Sequence, residues 1–177
     1  MKKLLTGALA LFVSAAMAQN NESEVTVSSS NQNTVNVLQV GADNTSEVTV
    51  SDASNLNTVG LRQLGEENNS EIKIDDDSSQ NTVLASQRGS ENEIDMDGWD
   101  GIQDDSDGNV VLLRQRGDDN EIEVDIDDDS DDNLVRVSQR GEDNESEVEI
   151  DDSSDENDVD VYQRGEDNDS EVDIDDR

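Results

Sequence analysis

A chain of 177 residues with 47 Asp and Glu against 11 Lys and Arg carries a formal net charge of -36, and it has no proline, cysteine or histidine. Those absences exclude disulfide staples, thiolate or imidazole metal sites and histidine acid–base work near neutral pH, while the charge excludes nucleic acid as a partner, because like charge repels phosphate. Aromatic residues make up 2% of the chain, so an ordinary aromatic-anchored core is excluded as well, and composition by itself favours disorder.

At the N-terminus, Lys2 and Lys3 precede an apolar run from Leu4 to Val13, and Ala16-Met17-Ala18 supplies a small-x-small cleavage pattern. Residues 1–18 therefore read as a secretory signal peptide. The mature chain then begins at Gln19, and its charge moves from -36 to -38 as the two lysines leave. The apolar run is too short for a permanent membrane helix and no later stretch is long enough, so no membrane insertion is expected and the product is secreted.

From here to the C-terminus the sequence repeats. Gln-x-Gly-x-x-Asn begins at Gln39, Gln63, Gln87, Gln115, Gln139 and Gln163, at steps of 24 residues except for one step of 28. A fixed phase over six copies contradicts disorder. Within each copy the apolar period is two, the mark of a strand with one buried face. One predicted strand runs Asn33-Val35-Val37-Gln39, and returns as Asn57-Val59-Leu61-Gln63, Asn81-Val83-Ala85-Gln87, Asn109-Val111-Leu113-Gln115, Asn133-Val135-Val137-Gln139 and Asn157-Val159-Val161-Gln163. The other runs Asn44-Ser46-Val48-Val50, and returns as Asn68-Ser70-Ile72-Ile74, Asn120-Ile122-Val124-Ile126, Asn144-Ser146-Val148-Ile150 and Asn168-Ser170-Val172-Ile174.

Each unit is thus strand, turn, strand, turn, and so small a unit buries its apolar face only against copies of itself. The predicted fold is an all-β β-solenoid over residues 19–177 with a period of about 24 residues. Stacking at about 4.8 Å puts like residues in register, so the six glutamines above and Asn44, Asn68, Asn92, Asn120, Asn144 and Asn168 are placed in buried side-chain amide ladders. Gly41, Gly65, Gly89, Gly117, Gly141 and Gly165 suit the first turn, where a positive φ costs glycine little, and an Asp/Ser-rich stretch makes the second. The step of 28 predicts an insertion loop around 97–108 with Gly98, Trp99 and Gly101, in which Trp99 is a shielding aromatic. A half coil at the C-terminus leaves an open strand edge.

With these residues in place, Asn-x-Val-x-Val-x-Gln-x-Gly-x-x-Asn, as in Asn133 to Asn144, resembles the curlin repeat, and the match recurs over nearly the whole mature chain. The resemblance implies a secreted, extracellular subunit of curli-type fibres, a self-polymerising functional amyloid of the biofilm matrix and the cell surface. It also implies export through an outer-membrane secretion pore and seeding by a nucleator subunit. The six glutamines and six asparagines fall on the family's first ladder glutamine and on its asparagine. Where curlins usually carry a second glutamine and a short turn, this chain has Val50, Ile74, Ile126, Ile150 and Ile174 and an acidic turn two residues longer, so an aliphatic rung replaces the second ladder.

Stacking brings each outward carboxylate about 4.8 Å from its counterparts, where two unit charges in water repel by roughly 0.9 kcal/mol. Arg88, Arg116, Arg140 and Arg164 form an in-phase column near the acidic turns, but exposed pairs are worth at most about 1 kcal/mol each. Solvent cations must meet the rest. The Asp-rich turns offer Asp75, Asp77, Asp127, Asp129, Asp151 and Asp152 as candidate ligands for Ca²⁺ as a structural counter-ion, beside the plainer reading of a solvated acidic surface. No EF-hand fits, since Ser130 and Arg136 stand where the loop glycine and the bidentate glutamate belong. The acid is uneven as well, with five carboxylates from Gln19 to Gln63 against eighteen from Gln139 to Arg177.

Four of the five Asn-x-Ser acceptor patterns fall on the repeat's own asparagine, so they read as structure, and no nucleophile–base pair or phosphate loop points to an enzyme. A monomeric, calcium-stabilised solenoid segment of an adhesin is the competing reading. An ice-binding face would need a full threonine column, which Thr34, Thr58 and Thr82 begin and Val110, Leu134 and Asp158 end.

Overall fold

The computed structural model describes residues 10–15, 20–96, 101–127, 129–151 and 153–174; Gly98, Trp99 and Asp152 lie outside them. Within those residues the chain has strands and no helix: β1 (Ala10–Ala15), β2 (Glu22–Val27), β3 (Thr34–Ala42), β4 (Thr45–Val50), β5 (Thr58–Glu66), β6 (Asn69–Ile74), β7 (Thr82–Ser90), β8 (Glu93–Met96), β9 (Val110–Asp118), β10 (Leu134–Glu142) and β11 (Asp158–Glu166). They form two sheets, a seven-stranded one ordered β1-β3-β5-β7-β9-β10-β11 and a four-stranded one ordered β2-β4-β6-β8. All pairings are parallel and in register, so that Gln39 faces Gln63, Gln63 faces Gln87, and the pairing survives the longer step as Gln87 facing Gln115. The fold is a β-solenoid of about six coils, each adding one strand to the long sheet.

The period of two explains the interior. In β5, Val59, Leu61 and Gln63 are buried while Thr58, Gly60, Arg62 and Leu64 face out. The facing wall supplies Val50, Ile74, Ile102, Ile126 and Ile150, a buried aliphatic column that takes the place of a second amide ladder. Ile102 bridges both Ile74 and Ile126, so the chain has rejoined its path by that residue. The extra length therefore falls between Met96 and Ile102, and Ser106 and Asn109 are buried as their equivalents are in the other coils. The sequence placed the insertion loop over a wider span, 97–108.

Two further expectations need adjustment. The second strand of each unit is regular as far as β8, but 120–126, 144–150 and 168–174 form no continuous strand. The ladder persists there through bonds such as Glu93 N–H to Asn120 O at 2.9 Å and Glu121 N–H to Asn144 O at 2.9 Å. Outward positions in these coils are all carboxylates, as in Glu121, Glu123 and Asp125, whereas Thr45, Thr49, Asn69 and Lys73 dilute the acid earlier; stacked like charge loosens the later wall. Second, residues read as leader occupy the sheet, with Ala10 to Ala15 pairing in register on β3 from Thr34 to Gln39.

Glycine sets how closely coils approach. A Cβ on Gly41, Gly65, Gly89, Gly117 or Gly141 would lie 1.7 to 1.8 Å from the next coil's glycine carbonyl oxygen, at a φ of +124° to +137°. Neither contact nor dihedral admits a side chain. Gly117→Ala should therefore lower stability by about 3 kcal/mol or more, read as a drop in the urea midpoint of the full chain; an unchanged midpoint would show that the coils sit further apart.

Candidate assembly site: the amide ladders and the open end

The glutamines stack as the sequence expected. Gln39 Nε2 donates to Gln63 Oε1 at 2.9 Å, Gln63 to Gln87 at 3.0 Å, Gln115 to Gln139 at 3.3 Å and Gln139 to Gln163 at 3.0 Å. Each also donates to the main-chain carbonyl five residues on, as Gln63 does to Asn68 O at 3.1 Å. A buried amide is tolerated because these bonds replace its water.

The asparagines of the expected ladder stack in the first coils, where Asn68 Nδ2 reaches Asn44 Oδ1 and Asn92 Nδ2 reaches Asn68 Oδ1, each at 2.7 Å. They also clamp the close glycines, donating upward from Asn44 to Gly65 O at 2.9 Å and from Asn92 to Gly117 O at 2.9 Å. Both ladders break at one level. Gln115 Oε1 and Asn92 Oδ1, on either side of the insertion, are buried with no hydrogen-bond partner. Further on, the asparagine ladder is fragmentary, with Asn144 Nδ2 to Asn168 Oδ1 at 3.2 Å.

The most continuous ladder is one that sequence reasoning assigned no role beyond strand position. Asn33 Oδ1 accepts the Asn57 N–H at 2.7 Å, and the pattern repeats through Asn81, Asn109, Asn133 and Asn157 at 2.7 to 2.8 Å, crossing the insertion without interruption. Beside it, Ser78, Ser106 and Ser130 accept the main-chain N–H of the serine one coil on, at 3.0 to 3.1 Å. Part of the acid belongs to this system. Asp107 Oδ1 accepts the Ser79 N–H, Asp131 Oδ1 accepts the Asp107 N–H at 2.6 Å, and Asp155 Oδ1 accepts the Asp131 N–H at 2.9 Å. The signal was available in the in-phase recurrence of Asn, Ser and Asp at these three positions.

The candidate calcium ligands are not brought together as a set. Among the described residues, the carboxylates whose oxygens converge within 4.8 Å are Asp52, Asp75 and Asp76, of which Asp75 and Asp76 belong to an acidic turn that the sequence offered for Ca²⁺. Asp75 already accepts from Ser51 Oγ at 2.8 Å and pairs with Lys73 Nζ at 3.5 Å. Asp77 and Asp129 are exposed turn residues in the left-handed region, and Asp127 and Asp151 are half-buried one coil apart.

The first turn also relies on left-handed residues that are not glycine. Asp43, Glu67, Glu91, Asp119, Asp143 and Asp167 have φ from 50° to 57° and stack as an acidic column. Asp119 and Glu67, on either side of Glu91, push its carboxyl above the ordinary value. Burial, then Glu93 and Glu145, raises Glu121; burial, then Asp151 and Asp173, raises Glu149; burial, with Asp131 and Asp105, raises Asp107 against the Ser79 N–H. Asp75 goes the other way: burial opposes, but the Ser51 hydroxyl, the Asp76 N–H and Lys73 together outweigh it.

No protein-family model matches the chain, and neither does any curated protein or solved structure. The parallel solenoid with its buried amide ladders is consistent with the curlin resemblance and does not identify the family.

Two outcomes follow from this geometry. Gln63→Leu should cost about 1 kcal/mol more than Gln115→Leu, since Gln63 is bonded above and below whereas Gln115 Oε1 is not; equal urea midpoints would contradict the ladder. Carboxyls with raised values favour the folded state once protonated, so that gain appears as pH falls from neutral and is complete below about 4. Asp75 contributes above its ordinary value and loses that contribution only as pH falls through its depressed one. The thermal midpoint should rise between about pH 7 and about pH 4, and a falling midpoint would contradict the repulsion assigned to the columns.

Proposed function

We propose that the chain is a structural protein and not an enzyme: a secreted subunit of curli-like amyloid fibres that serve biofilm matrix and surface adhesion, growing by templated end-to-end stacking. The observation that carries this reading is the state of the last coil. Every ladder glutamine except Gln87 donates to its counterpart one coil on, whereas Gln163 Nε2 is buried with no hydrogen-bond partner. Unlike its counterparts it makes no bond to the main-chain carbonyl five residues on, and it also lacks the Oε1 of a further coil, which the first glutamine of another copy, Gln39, would supply.

The backbone supports the same reading. Among the described residues β11 has a neighbour on one side only, which leaves the other edge able to pair with an incoming strand. Among the six turn glycines, Gly165 is the one whose added Cβ meets nothing within 4 Å among the described residues. At the opposite end β1 covers β3, so removal of residues 1–18 as a leader would uncover the complementary edge. Export through an outer-membrane pore and seeding by a nucleator subunit complete the proposal on the strength of the curlin resemblance.

The test compares the chain from Gln19 with its Gly165→Ala variant. In an isolated subunit the new methyl group has room, at a cost of about 1 to 3 kcal/mol from its φ, whereas in a growing fibre it would strike the next copy's glycine carbonyl. The wild-type chain should form filaments by electron microscopy. The variant should keep the wild-type circular-dichroism spectrum and fail to elongate on wild-type seeds. Elongation at the wild-type rate would overturn end-to-end stacking through this coil.

A further inference from the structure

The two outer walls of the solenoid carry opposite charge. Parity places seven of the eight described Lys and Arg residues on the outer face of the long sheet, and Lys73 alone on the other wall. From β3 to β10 the outward positions ahead of the turn glycines hold no carboxylate, while Glu66, Asp118 and Glu142 stand at the turn end of the strands and Asp158 and Asp160 on β11. The opposite wall presents Glu22 and Glu24 at one end and three carboxylates per coil at the other, as in Glu145, Glu147 and Glu149. A chain of net charge -36 thus keeps one broad face basic.

The basic face is built to be covered. Arg62, Arg88, Arg114, Arg116 and Arg140 have no carboxylate within ion-pair distance among the described residues, while Arg136 is held by Asp158 and Asp160 at 2.6 and 3.1 Å. Leu84 and Tyr162 stand 45% and 69% exposed among them, where water gains nothing from their contact. Shallow grooves run between the guanidinium groups, one bounded by Arg114, Arg116, Arg140 and Tyr162.

We infer that this face docks laterally on the acidic wall of a second copy of the same chain. Three features of the molecule favour that occupant over any other polyanion. Columns on both walls share one rise of about 4.8 Å, so a carboxylate can meet a guanidinium at each level from β5 to β11. The arginines are densest in β9 and β10 and absent from β3, and the acidic wall is likewise weakest in the first coils, which matches two copies aligned in the same direction. The narrower wall, six residues wide and about six coils tall, measures about 20 Å by about 29 Å, or roughly 600 Å² per partner, at the lower bound for a specific interface. Because the contact joins unlike faces, it does not close on itself and extends to further copies side by side. It stands apart from end-to-end growth, which uses the coil ends.

Two charge-reversed chains test the inference. Arg88→Glu/Arg116→Glu/Arg140→Glu has two acidic walls, and Glu121→Arg/Glu145→Arg/Glu147→Arg has a basic patch on both. Small-angle scattering and electron microscopy follow lateral association at about 0.01 M and about 1 M salt, where the Debye length is about 30 Å and about 3 Å. Wild type should associate side by side at low salt and separate at high salt. Each variant alone should stay laterally single, and an equal mixture should associate again. Either variant alone pairing as wild type does, or a mixture that stays apart while both retain the wild-type circular-dichroism spectrum, would overturn it. Wild-type chains that ignore one another but bind soluble poly-glutamate through the arginines would also overturn it, in favour of a foreign polyanion. Should a reversed chain fail to fold, the Arg→Gln and Glu→Gln versions of the same sets must each weaken association by at least about tenfold, and no change would count against the inference.

Discussion

Close, in-register contact between glycine backbones is the constraint on which the rest of this molecule depends. With a Cβ excluded at 1.7 to 1.8 Å from the carbonyl above, coils settle at strand spacing, and only then do Gln, Asn and Ser side chains reach their counterparts. A slip of one residue would turn every buried amide outward and every charge inward. Register is therefore fixed twice, by the turn glycines and by amides that bond their like one coil on. The same arrangement lets a core built from Val, Leu, Ile, Ala and Met do without aromatic residues.

The opposing force is charge. Each in-register column of Glu or Asp repeats its own repulsion at every level, and raised carboxyl values at Glu91, Glu121 and Glu149 record it. The chain meets this in three ways. Asp107, Asp131 and Asp155 are turned to use as acceptors for main-chain N–H groups. Lys73 sits beside the acidic cluster that converges among the described residues. Arginines are segregated to the other wall, where they do little for the acid of their own copy and much for that of a neighbour. Where none of these acts, in the last coils of the short sheet, regular strand geometry is lost.

Much of this was legible beforehand. Phase and parity alone placed the six glutamines, the turn glycines and the aliphatic rung, because burial in a strand has a period of two and stacking has the period of the repeat. The continuous Asn33 series was harder to see, since an asparagine at the start of a strand reads as a turn residue. Structural aspartates such as Asp131 were hidden in runs of surface acid of the same chemistry. Ile102 was missed because four added residues destroy the local spacing while the fold restores it, and the left-handed Glu67 and Asp119 because acidic residues rarely signal that conformation. In the converging cluster Asp75 and its neighbour Asp76 are joined by Asp52 of the coil before, a partner one repeat away that a run of consecutive aspartates does not reveal.

Hydrogen–deuterium exchange of glutamine side-chain amides, resolved by NMR in the isolated chain and in its assembled form, tests the central claim most directly. Gln139, bonded on both sides, should exchange slowly in both forms, while Gln163 should exchange faster in the isolated chain and become as slow as Gln139 on assembly. Exchange of Gln139 at the rate of a free amide, or no slowing of Gln163 in filaments, would contradict a ladder that runs through the coils and on into the next copy.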